Sequence, residues 1–108
     1  VSNRTCVIID DMVDTAGTIC AAVDTLVEHG ASEVLCATTH AVFSGPAVDR
    51  LKSSELSKVV VTDTVPLPEA KRFDKLEVLS AAGILADALE SVFEDTSVSE
   101  IFDGENLF

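Results

Sequence analysis

A chain of 108 residues, 47% of them hydrophobic and spread along the whole length, fits one domain with a modest core and argues against wholesale disorder. Seven basic against nineteen acidic residues leave a net charge of -12, which repels nucleic acid and anionic membranes over most of the surface. Tryptophan and tyrosine are absent, so the usual platforms for stacking a base are missing.

The chain opens Val-Ser-Asn-Arg, with neither an initiator Met nor a hydrophobic leader, and no membrane-spanning run follows. A start so close to a core strand leads us to expect a missing upstream segment. Residues 5–9 read as that strand, and it runs into the adjacent carboxylates Asp10 and Asp11. After a short loop, Ile19, Ala22, Val23, Leu26 and Val27 follow the spacing of one helix face between Thr18 and His29. Gly30 supplies the stop. Residues 33–39 form a second strand. Ser44-Gly45-Pro46 opens a short helix to about residue 52, with Pro46 early in it, where a missing N–H costs little. Residues 58–62 are a third strand, 63–74 a polar loop with Pro66 and Pro68, and 76–79 a short fourth strand. Ser80 caps a helix over 81–93 whose buried stripe is Ile84, Leu85, Ala88, Leu89 and Val92. Residues 97–102 read as one more helical turn that docks Ile101 and Phe102. No internal repeat or low-complexity segment is present.

The order β-α-β-α-β-β-α predicts a single α/β domain over residues 1–108. Its sheet is mostly parallel, flanked by helices on both faces and joined by right-handed crossovers. Ligands of such sheets sit outside the carboxyl ends of the strands, so Asp10, Asp11, His40 and Asp63 should share one edge. His40 is expected to be a structural histidine bonded to backbone, and His29 to meet the end of its helix dipole. Asp63 reads as part of a solvated loop. Cys6, Cys20 and Cys36 are odd in number and lack metal-ligand spacing. They read as buried, reduced thiols of a cytoplasmic protein, with no metal site in the chain itself.

The stretch 10–18, Asp-Asp-Met-Val-Asp-Thr-Ala-Gly-Thr, carries the chemistry. Carboxylates only accept hydrogen bonds, so Asp10 and Asp11 match the hydroxyl donors of a furanose. Met12 and Val13 pack on the sheet and anchor the loop. Asp14, Thr15, Ala16, Gly17 and Thr18 offer hydroxyls, close backbone approach and the free N–H groups of a helix start to a phosphate. An ordinary strand–helix turn with Asp14 as cap is the plain alternative.

This stretch resembles the phosphoribosyl-pyrophosphate-binding loop shared by type I phosphoribosyltransferases and ribose-phosphate pyrophosphokinases. Further segments are similar to the pyrophosphokinases in particular: Ala37-Thr38-Thr39-His40-Ala41-Val42-Phe43-Ser44-Gly45-Pro46-Ala47, Val59-Val60-Val61-Thr62-Asp63-Thr64-Val65-Pro66, Leu76-Glu77-Val78-Leu79-Ser80, and Ser97-Val98-Ser99-Glu100-Ile101-Phe102. The resemblance implies a phosphoribosyltransferase-like domain, the C-terminal half of a two-domain, cytoplasmic, hexameric enzyme. That enzyme transfers pyrophosphate from ATP, with Mg2+, to ribose 5-phosphate, giving phosphoribosyl pyrophosphate and AMP for nucleotide biosynthesis. Asp10 and Asp11 would face the ribose hydroxyls, and Asp14 to Thr18 the 5-phosphate. Ser97, Ser99 and Phe102 would belong to an allosteric ADP/phosphate site, or simply cap and pack a terminal turn. The catalytic cations and metal ligands of the family lie upstream, so the resemblance implies a half-site that is inactive alone. Neither nucleic acid nor membrane is an expected partner.

Competing readings make different demands. A phosphoribosyltransferase would carry base-stacking aromatics. A regulatory, associated subunit would be expected to have damaged acids or a lost glycine in the loop. A phospho-acceptor receiver domain needs a Lys after a late strand, and none follows residues 76–79.

Overall fold

The computed structural model describes residues 1–94. In chain order it holds β1 (Thr5–Val13), α1 (Gly17–Glu28), β2 (Glu33–Ala41), α2 (Ala47–Ser53), β3 (Leu56–Thr62), a 3-10 turn (Glu69–Lys71), β4 (Leu76–Leu79) and α3 (Ala82–Phe93). The four strands lie in the order β1-β2-β3-β4, and every neighbouring pair is parallel. The expected α/β architecture is therefore the observed one.

Strand alternation decides what is buried. Val34, Cys36, Val59 and Val61 point to one face, where they meet Ile19 and Val23 of α1 and Ala47 and Leu51 of α2 in a core sealed from solvent. Burying each such aliphatic side chain contributes roughly 1.5–3 kcal/mol. The connection from β3 to β4 closes the same face, with Phe73 against Phe43 at a centroid distance of 6.2 Å. Lys75 holds this return in place by donating to the carbonyls of Lys52 and Ser54 at the end of α2.

Two expectations are corrected here. Helices cover one face of the sheet among the described residues, not both. Val7, Ile9 and Leu79, one residue out of phase with the core, remain half or more exposed on the other face. The stripe of α3 is likewise not buried: Ile84, Leu85, Leu89 and Val92 are all more than half exposed, and the covered residues are Ala88 and Ser91. The helix forms where its periodicity puts it, but none of the described elements packs extensively on its apolar face. Amphipathicity reports that a face wants burial; it does not supply the partner. No described helix is long and apolar enough to cross a membrane.

A third difference bears on the site. β1 continues past Ile9 through the carboxylates to Val13, because Asp10, Met12 and Val13 keep a parallel ladder with Thr38, His40 and Ala41 of β2. The low strand propensity of Asp is overridden by this pairing. The segment 97–102, with Ser97, Ser99 and Phe102, lies outside the described residues.

Candidate functional site

At the carboxyl end of β1 a cavity of about 230 Å³ is lined by Asp10, Met12 to Gly17, Thr18 and Ile19. This is the stretch singled out from sequence, with one exception. Asp11 follows Asp10 within β1 and is exposed, but it does not line the cavity. Its backbone N–H instead donates to Asp10 Oδ1 at 2.8 Å, which fixes that carboxylate at the cavity wall. Val13 is sealed in the core and anchors the loop, whereas Met12 is 43% exposed.

The loop has an unusual backbone. Ala16 is in the left-handed region at φ 67° and ψ 8°, a conformation that costs a residue with a Cβ about 1–2 kcal/mol. Helical Gly17 follows at once, and a left-handed residue before a right-handed one turns successive N–H groups toward a common point, an anion-binding nest. The amides of Thr15 to Ile19 find no acceptor among the described residues. They are joined by the positive end of α1, a helix of 12 residues. Asp14 makes no side-chain cap at this helix, so the plain reading of an Asp-capped turn does not describe it.

The segment after β2 holds the loop from one side. Val42 and Phe43 donate their N–H groups to the Val13 carbonyl at 3.0 and 3.1 Å, and Ser44 N–H donates to the Asp14 carbonyl at 2.8 Å. To deliver these donors the chain turns through two left-handed residues, Phe43 at φ 50° and Gly45 at φ 54°. Phe43 is nonetheless fully buried, and its packing in the core offsets the strain. Pro46 sits at the N-cap of α2, one place before the position expected of it.

A second cavity, of about 500 Å³, lies behind the loop and is lined by Gly17, Cys20, Ala21, Asp24, Arg50, Ser53 and Ser54. Arg50 reaches from α2 to donate from Nη1 to the Thr15 carbonyl at 3.1 Å. Nothing in the sequence flagged Arg50, because its contact lies 35 positions away. Burial raises the Cys20 thiol pKa, the Asp24 charge adds to this, and Arg50 opposes it. Burial, with the nearby Asp10 charge, pushes Cys36 up to about 11. Both are inert thiols at neutral pH.

The remaining candidates have structural roles. His40 hydrogen-bonds through Nδ1 to Thr64 Oγ1 at 2.8 Å, a hydroxyl rather than the expected backbone group. Thr62 and Thr64 in turn donate to the Thr39 carbonyl, which laces the end of β2 to that of β3. His29 donates from Nδ1 to the Thr25 carbonyl at 2.7 Å, in the last turn of α1 as expected. Asp63 is not merely solvated: its Oδ1 accepts the Ala81 N–H at 2.8 Å and fastens the start of α3. No group of three or more His, Cys, Asp or Glu side chains able to hold a metal occurs among the described residues.

Comparison with known proteins bears on this geometry. The phosphoribosyl synthetase-associated domain model matches residues 1–103. The ribose-phosphate pyrophosphokinase of Streptomyces avermitilis is 54% identical over 103 residues, covering 95% of this chain and 32% of the relative. That of Bifidobacterium longum is 54% identical over 103 residues, with 95% and 30% covered. The crystal structure of phosphoribosylpyrophosphate synthetase from Mycobacterium smegmatis superposes with a TM-score of 0.85 at 48% identity, over 88% of this chain and 32% of that one. The chain thus spans about a third of the length of the relatives it matches. With the match running through both the loop and the sheet, this chain belongs to the phosphoribosyl synthetase-associated domain family.

Proposed function

We propose that this chain is the ribose 5-phosphate-binding part, within the C-terminal half, of a ribose-phosphate pyrophosphokinase. The observation that carries this reading is the loop itself. Five consecutive backbone amides without acceptors, Thr15 to Ile19 with left-handed Ala16 among them, line a cavity whose other wall carries the Asp10 carboxylate. Amides toward one end and an acceptor-only group toward the other match a phosphate joined to a hydroxylated sugar. Asp10 takes the ribose hydroxyls. Asp11, outside the cavity lining, acts through the N–H that orients Asp10. Asp14 to Thr18 take the phosphate, with the hydroxyls of Thr15 and Thr18 adding donors.

The chain holds acceptor sugar in place and leaves the chemistry to the rest of the enzyme. Transfer of a pyrophosphoryl group needs cationic groups around the moving phosphates. The basic side chain that touches the loop is Arg50, and it touches it from behind. Mg2+ takes one or two carboxylates together with substrate phosphate oxygens. In this reading Mg2+ is held chiefly by substrate oxygens and by residues of the longer enzyme. ATP belongs to that remainder too, as do hexamer formation and any ADP or phosphate regulation through Ser97, Ser99 and Phe102. The setting is cytoplasmic.

The test is a titration of the 15N-labelled chain with ribose 5-phosphate, ribose and inorganic phosphate, followed by amide shifts. Ribose 5-phosphate should move Thr15 to Thr18 at a lower concentration than either fragment. No response at millimolar ribose 5-phosphate would remove the reading. Assay of AMP formation by the full-length parent then separates an enzyme from a silent, associated subunit.

A further inference from the structure

We propose that Arg50 is a positioning residue for the phosphate loop, one that sets the conformation of Ala16 and so aims the loop amides. The inference rests on the ribose 5-phosphate reading for its consequence, but its geometry stands on its own. Arg50 Nη1 donates to the Thr15 carbonyl at 3.1 Å from the side of the loop facing α2. The peptide between Thr15 and Ala16 is planar and trans, so a carbonyl held toward Arg50 sends the Ala16 N–H the opposite way. That N–H belongs to the unpartnered series of Thr15 to Ile19. The pull on the carbonyl and the left-handed φ of Ala16 belong to one arrangement, because Ala16 is where the chain reverses between the tethered peptide and the start of α1.

Gly17 supplies the second observation. Its φ is not positive, so no backbone conformation demands glycine there. A Cβ at Gly17 would instead lie 3.2 Å from Arg50 Nη1 and 4.0 Å from Thr15 Oγ1. Glycine at this position leaves room for the guanidinium. Arg50 is also free of any ion pair among the described residues, whose single salt bridge joins Lys58 to Glu77. Its charge is therefore left to the Thr15 carbonyl and to the field at the loop. In a chain of net charge -12 it is a cation placed directly behind a site for an anion.

The test compares the wild-type chain with Arg50→Ala and Arg50→Gln by NMR, without and with ribose 5-phosphate. The intraresidue HN–Hα cross-peak of Ala16 is intense only at positive φ and reads the loop conformation without any ligand. In Arg50→Ala this peak should weaken, and ribose 5-phosphate affinity should fall about tenfold, the population penalty of a left-handed residue no longer held. Millimolar guanidinium chloride should restore part of the affinity to Arg50→Ala and none to the wild type. Arg50→Gln keeps the aliphatic stem, and is read in the same way should the Ala variant fail to fold. An unchanged Ala16 peak together with unchanged affinity in a folded variant overturns the proposal. A wild-type chain that does not bind ribose 5-phosphate overturns the functional reading instead, while the ligand-free peak still decides the role of Arg50.

Discussion

Gly17→Ala separates two reasons for a glycine in a phosphate loop. If glycine is there for backbone freedom, alanine is strained in every background. If it is there to admit Arg50, the effect of alanine depends on Arg50. A Cβ 3.2 Å from Arg50 Nη1 displaces that group by a few tenths of an ångström and strains its bond to the Thr15 carbonyl. An exposed hydrogen bond of this kind is worth about 1 kcal/mol. Alanine, in turn, favours a helix over glycine by up to about 1 kcal/mol, less in the first turn. Gly17→Ala alone should therefore change stability by less than about 1 kcal/mol in either direction. In the Arg50→Ala background only the helix gain remains, so Gly17→Ala should stabilise. The cycle of four proteins, measured by urea unfolding, should show a coupling of about 1 kcal/mol. Effects that add to within about 0.3–0.5 kcal/mol would refute the steric link between Gly17 and Arg50.

Three further outcomes follow from the packing. Thr38 Oγ1 is buried without a hydrogen-bond partner among the described residues. Its isosteric replacement Thr38→Val should stabilise by about 1 kcal/mol, raising the melting temperature by about 5 °C; a lower melting temperature would mean that the hydroxyl has a role the structure does not show. Cys36 has a folded pKa of about 11 against an ordinary 9.0, so its contribution to stability is complete below pH 9 and is lost as pH rises toward 11. The wild type should lose about 2 kcal/mol relative to Cys36→Ala over that interval, and parallel pH profiles would contradict the assignment. Ile9 is 80% exposed on the open face of the sheet. Ile9→Lys should cost less than about 0.5 kcal/mol in this chain, and a loss of several times that would show the face to be covered.

Much of this was legible in the sequence, and the exceptions have physical causes. The period of apolar residues marked α1 and α3, because i, i+3, i+4 spacing is local. It placed the apolar face of α3 correctly, but whether a face is covered depends on what else is present. The carboxylates Asp10 and Asp11 look like a matched pair in one dimension. β1 extends through them to Val13, which depends on pairing with β2, and Asp10 lines the cavity whereas Asp11 does not. Ala16 gives no warning of a left-handed φ, because alanine has no local reason to adopt one. Arg50 and Phe43 act through contacts at long sequence separation, where spacing carries no signal. Ser44-Gly45-Pro46 was visible as the opening of a short helix, but not as the donor of a hydrogen bond to Asp14.

The central claim is that the loop from Asp14 to Thr18 binds the phosphate of a pentose phosphate through its backbone amides. Amide-resolved titration of the chain with ribose 5-phosphate measures this directly. Saturable shifts centred on Thr15, Ala16, Gly17 and Thr18, with a weaker response to ribose alone, are the expected result. Shifts confined to other residues, or none at millimolar ligand, would contradict it.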